Sequence, residues 1–179
     1  YYSHRQLVLH TLATSAALKD VELVGVADAD AARARHIAAK HDCAAHTDAR
    51  ALLGGVDLVS IAVPTARHHE VALAFLQAGV HVLLEKPVTT TLEEADALLA
   101  AARAHGALLA VGHLERFNPA FRALAQSVAR PLYIECERLS GFKQRGIDVD
   151  VVLDLMIHDL DLVRALARSE VGQVSACGF

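Results

Sequence analysis

Short β-branched runs alternate along this chain with alanine-rich stretches of helical period, and that alternation admits few folds. Strands joined by helices return to the same edge of a sheet and lie parallel, and a parallel sheet is covered by helices on both faces. Strands are predicted at Glu22 to Ala27, Asp57 to Val63, His81 to Leu84 and Leu108 to Val111, with helices over Ala31 to Lys40, Glu70 to Gln77 and Leu92 to His105. Thr91 followed by Glu94 is a capping-box signature, and Gly79 and Gly106 stand where helix C-terminal glycines are expected. After Pro119 the pattern changes to a helix up to Val128, a strand at Leu132 to Glu137, a polar loop, a helix from about Val149 to Leu166, and a last strand from near Gly172. The expected class is α/β, a Rossmann-type parallel sheet over residues 1–118 followed over 119–179 by the start of an α/β substrate domain.

Composition narrows the partners. The 179 residues carry a net charge of −4 and no lysine-rich block, which leaves no electrostatic footprint for nucleic acid or an anionic membrane. Apolar runs fall well short of the roughly 20 residues a spanning helix needs. Cys43, Cys136 and Cys177 are scattered without a CxxC pair, so neither a disulfide framework nor a thiolate zinc site is indicated, and a reducing, cytoplasmic setting fits. The chain opens on Tyr1, so a longer translated product is expected.

Four stretches carry chemistry. Asp28 ends the first predicted strand, where a nucleotide-binding βαβ fold puts an acid to accept ribose hydroxyls. This favours NAD over NADP, whose 2′-phosphate would meet Asp28 and Asp30, with Arg33 and Arg35 a turn away; an acid simply ending a strand is the alternative. Pro64, Thr65 and His68 follow the strand ending at Val63, at the sheet edge where open α/β folds bind ligands, although His68 also suits a helix start. Glu85-Lys86-Pro87 follows the next strand, and an ammonium group at the end of a buried strand needs a partner or a purpose. Asp154 and His158, four apart on an apolar helix with Asp161 further along the same face, pair a carboxylate with an imidazole, the arrangement of a tuned general base. A shared metal ion or a structural pair remain open for these three residues.

The order and spacing of Glu85-Lys86-Pro87 and Asp154-x-x-x-His158 resemble the Gfo/Idh/MocA family of nicotinamide-dependent sugar dehydrogenases, and Val111 to Pro119 resembles its nucleotide-sugar members. The resemblance implies metal-free hydride transfer with NAD as cofactor. It makes Lys86, Asp154 and His158 the catalytic residues, with His158 as base, and Asp28, Pro64, Thr65, His68, Glu85 and Lys86 the cofactor contacts. Arg116, Asn118 and Arg145 become substrate contacts, although Asn118 before Pro119 also fits a helix cap, and Lys143, Gln144 and Arg145 a solvated loop. The implied substrate is a sugar or UDP-sugar, with the 3-hydroxyl of a UDP-N-acetylhexosamine favoured over a free sugar or inositol, and the complete enzyme is expected to be a homo-oligomer.

One element of the family pattern is missing. No glycine precedes Gly25, so the glycine-rich phosphate turn is absent. Residues 1–18 match the helix after that turn, so the first strand and its loop are expected upstream, between the strands ending at Asp28 and Val63, and further chain is expected beyond Phe179. Without that strand the two neighbours would expose unpaired backbone, which keeps a non-catalytic binding fragment as the rival class.

Overall fold

The computed structural model describes residues 19–139 and 150–178, so the helix expected up to Leu18 and the loop residues Lys143, Gln144 and Arg145 lie outside the described residues. These divide into two compact units, one up to Gly112 and one from His113, and Asn118 lies inside the second.

The first unit is an alternation of parallel strands and helices. Strand β1 (Gly25–Ala27) pairs in parallel with β2 (Ala44–His46), while β3 (Leu58–Ile61), β4 (His81–Leu84) and β5 (Leu109–Val111) form a second parallel sheet in that order. Among the described residues no strand joins β1 to β3, so the parallel strands make two sheets rather than one. Helix α1 (Ala31–His41) starts at Asp30, whose carboxylate accepts from the N–H groups of Ala32 and Arg33, and stops at Asp42 in a left-handed conformation. Strand β2 was not foreseen, because Ala44-Ala45-His46 has no β-branched residue. It forms where α1 ends, and β1 holds it through bonds from Ala44 N–H to the Val24 carbonyl and from Asp28 N–H to the His46 carbonyl.

Helices α2 (His68–Gln77) and α3 (Leu92–Ala104) cover the three-stranded sheet. Alternate residues of β4, Val82 and Leu84, join Phe75, Leu76, Ala72 and Leu98 in a fully buried cluster. Thr91 caps α3 by accepting from Glu94 N–H at 3.2 Å, but the returning Glu94 carboxylate meets the N–H and hydroxyl of Thr90 rather than Thr91. Gly79 and Gly106 follow α2 and α3 with φ of 77° and 65°, the left-handed conformation that side chains disfavour.

The second unit carries α4 (Pro119–Ser127), a π-helical segment Val152–Met156 and α5 (Ile157–Ala167). The helix expected from about Val149 to Leu166 therefore opens with a wider turn that periodicity could not reveal. The strands expected at Leu132 to Glu137 and from near Gly172 are not formed. A strand needs a neighbour for its backbone N–H and C=O groups, none lies beside either segment among the described residues, and Leu132 is 96% exposed.

Because Phe75 has no exposed surface and belongs to this cluster, Phe75→Ala should lower unfolding free energy by about 3–5 kcal/mol. Chemical denaturation reads this directly, and a loss below about 1 kcal/mol would show that the cluster is not the core of this unit.

Candidate active site

The register of the larger sheet brings its candidate residues to one edge. Ile61 stands level with Leu84, and Leu84 with Val111. The ladder runs one step further, with Glu85 N–H donating to the Ile61 carbonyl at 3.0 Å and Gly112 N–H to the Leu84 carbonyl at 2.8 Å. The turns carrying Pro64 and Thr65, Glu85 and Lys86, and Gly112 therefore leave the sheet side by side at its carboxyl edge, where open α/β sheets take ligands.

Two of those turns are tied by one buried side chain. His68 has no exposed surface, and its Nδ1 lies 2.8 Å from the Pro87 carbonyl oxygen and its Nε2 3.0 Å from that of Val63. Both ring nitrogens are committed to backbone, so any influence of His68 on a ligand runs through the two turns it joins. Thr65 is also buried, in the single 3₁₀ turn Thr65–Arg67 that leads from Pro64 into α2. The Lys86–Pro87 peptide is cis.

Glu85 and Asp28 illustrate opposite environments for a carboxyl group. Burial pushes Glu85 above the usual carboxylate range, and the backbone N–H and charge of Lys86 pull the other way without cancelling it. Its carboxyl group lies against Gly112, where an added Cβ would stand 3.1 Å from Glu85 Oε1. Asp28, just past β1, is instead held low, chiefly by its hydrogen bonds from Arg33, against a smaller opposing effect of burial. Arg33 Nη2 donates to Asp28 Oδ1 at 2.7 Å and Nε to Oδ2, and the Asp30 backbone N–H donates to Oδ1 at 2.8 Å.

In the second unit Asp154 lies within the π-helical segment and His158 in the first turn of α5, both half-buried. The change of helical pitch between them departs from the single regular face read from their spacing. Arg116, expected at the substrate, grips Asp161 through two bonds, Nε to Oδ2 at 2.7 Å and Nη2 to Oδ1 at 2.6 Å, and His113 Nδ1 stands 3.9 Å from the same carboxylate. Asn118 caps α4, accepting from Ala120 N–H at 3.0 Å and donating to Glu115 at 3.2 Å. A second forked pair was missed: Arg138 donates from Nε and Nη2 to Asp159 at 2.7 Å each, holding that carboxylate below its usual range next to His158. The partners stand 21 residues apart in the chain, and no periodic signal links them. Among the described residues no group of three or more His, Cys, Asp or Glu side chains could hold a metal ion.

A family model for oxidoreductases with an NAD-binding Rossmann fold matches residues 7–113. The chain belongs to the Gfo/Idh/MocA oxidoreductase family. It is 48% identical over 158 residues to the UDP-N-acetylglucosamine 3-dehydrogenase of Acidithiobacillus ferrooxidans, a match that covers 88% of this chain and 50% of the relative. A solved structure of that enzyme superposes with a TM-score of 0.84 at 44% identity, covering 96% of this chain and 58% of the other. The myo-inositol dehydrogenase Hyg17 of Streptomyces leeuwenhoekii is more distant, at 35% identity over 84% of this chain and 50% of its own. The chain thus spans about half the length of the curated relatives it matches. Its fold is the family's Rossmann type, in which the carboxyl edge is the cofactor side.

The raised Glu85 carboxyl sets a pH dependence. A folded-state value above the unfolded one favours the neutral acid on folding, so its contribution is present below the unfolded value near 4.5 and is lost as pH rises through the folded value. Glu85→Gln should therefore gain stability over the parent between pH 4 and pH 7, read from melting temperatures across that range. Parallel curves for the two proteins would contradict the burial argument.

Proposed function

We propose that this chain forms the cofactor-binding part and the catalytic helix of an NAD-dependent nucleotide-sugar dehydrogenase that oxidises the 3-hydroxyl of a UDP-N-acetylhexosamine. In this proposal the unit up to Gly112 is the NAD-binding domain and the unit from His113 begins the substrate domain. The observation that carries the proposal is the Glu85-Lys86-Pro87 turn, set at the carboxyl edge of the parallel sheet beside the turn of Pro64 and Thr65. The 48% identity to a UDP-N-acetylglucosamine 3-dehydrogenase supports the substrate class.

The residues present fit the cofactor. Asp28 retains an acceptor position on Oδ2 for a ribose hydroxyl, and the turn of Pro64 and Thr65 at the carboxyl edge of the larger sheet is assigned to the rest of the dinucleotide. Bound NAD supplies the hydride acceptor. Lys86 is assigned a contact to the reacting hydroxyl or the nicotinamide, His158 the role of general base, and Asp154 that of its partner or a substrate ligand. Arg116 and Asn118, engaged with Asp161 and with the start of α4, shape the sugar side through the backbone they fix, and Arg145 is assigned a contact to the diphosphate.

The free thiols Cys43, Cys136 and Cys177 support a cytoplasmic setting, and no helix among the described residues is long and apolar enough to cross a membrane. The partner is a small UDP-sugar, and the working enzyme is a homo-oligomer. A second reading, oxidation of inositol or a free sugar, draws on the 35% identical myo-inositol dehydrogenase and differs in needing no UDP group.

In the complete enzyme Lys86→Ala should lower NAD-linked oxidation of UDP-N-acetylglucosamine by about 100-fold or more with the melting temperature retained. NADH formation measures the rate. Undiminished turnover would contradict the role of Lys86, and equal rates with inositol and with the UDP-sugar would contradict the substrate.

A further inference from the structure

Helix α5 ends on a residue whose side chain its backbone disfavours. Arg168 N–H donates to the Arg164 carbonyl at 3.2 Å, and Arg168 takes φ 51° and ψ 35°, the left-handed conformation that glycine adopts freely and a long side chain does not. Its guanidinium is fastened to α4, where Nη2 donates to the Ala125 carbonyl at 3.3 Å.

With Arg116, Arg164, Ser169 and Glu170, Arg168 lines a cavity of about 470 Å³, within the size range of small-molecule sites. Three guanidinium groups therefore share this space with one carboxylate. Arg116 is forked onto Asp161 through Nε and Nη2, which leaves Nη1 and one N–H of Nη2 to donate elsewhere. Among the described residues neither Arg164 nor Arg168 forms an ion pair, and Glu170, on the same cavity, pairs with none of the three. The carbonyl end of a helix carries roughly half a negative charge, which accounts for one basic residue there but not for two beside a third. A surplus of positive charge remains, together with planar donors that match phosphate oxygens two at a time and the Ser169 hydroxyl.

We propose that this cavity binds a small phosphorylated anion, held by Arg164 and Arg168 with Arg116 and Ser169 completing the site. Its volume leaves room for more than a single phosphate, so a diphosphate or a phosphate with an attached group is the fitting class. Arg164 and Arg168 follow His158 on the same helix by six and ten residues, about 9 and 15 Å of rise, which puts the site at the opposite end of α5 from the candidate base.

Isothermal titration of the full chain at low salt with inorganic diphosphate, for the parent, Arg164→Ala and Arg168→Gly, tests this. Diphosphate should bind saturably to the parent and about tenfold more weakly to each variant, the effect of one charge-assisted hydrogen bond. Arg168→Gly separates binding from folding, because glycine suits the left-handed helix end: its melting temperature without anion should be retained, while the rise that diphosphate produces in the parent should shrink. Arg164→Ala, at a helical position that alanine favours, gives an independent reading. The same titrations with UDP identify the source of the phosphate: parallel losses for UDP assign the site to a nucleotide, and losses confined to diphosphate assign it to the free anion. No saturable diphosphate binding in the parent, or equal affinity in all three proteins, would overturn the site.

Discussion

The parallel register of β3, β4 and β5 decides where the chemistry of the first unit can sit. Because Ile61, Leu84 and Val111 are level, and Glu85 and Gly112 extend the ladder by one bond each, three turns leave the sheet together. Buried Phe75, Leu76, Leu98 and the inward residues of β4 hold that register from beneath, since a one-residue slip would turn Val82 and Leu84 out of the core. His68 then fixes two of the turns to one another through the carbonyls of Val63 and Pro87. A buried imidazole is a stiff spacer, so the position of Lys86 follows from core packing as much as from its own turn.

Electrostatics divides the carboxyl groups into two kinds. Asp28, Asp159 and Asp161 each lie in the fork of an arginine, and Asp28 and Asp159 are held low by those bonds. Glu85 lies buried against Gly112 and is raised. Forked pairs of this kind fix side-chain direction more than they add stability when partly exposed, and their value here is positional. Arg138 on Asp159 and Arg116 on Asp161 brace the first turn of α5, just after His158.

Much of the first unit was legible because each element carried its own local signal. Strand β4 was read at its observed bounds, and helices α1, α2 and α3 to within two residues at each end, because periodicity, caps and terminal glycines agreed. Where structure depends on a distant partner, that signal is absent. Ala44 to His46 is a strand only through β1, and the alternation Leu132, Ile134, Cys136 makes none because nothing pairs with it among the described residues. The π-helical turn at Asp154 leaves no mark in a pattern of apolar spacing. Residue types and order marked Asp28, Glu85, Lys86 and the Asp154 to His158 spacing as candidates, but not what each side chain touches. Arg116 read as a substrate contact and Asn118 as either that or a helix cap; three-dimensional proximity gives Arg116 an ion pair 45 residues away, and Asn118 does cap α4.

The central proposal is that the first unit holds a nicotinamide dinucleotide with Asp28, at the end of β1, as one of its contacts. Fluorescence titration of NADH into the protein, alongside Asp28→Ala, measures it most directly. Saturable binding that weakens about tenfold or more in the variant is the predicted result. The absence of saturable binding, or an equal affinity in both proteins, would contradict it.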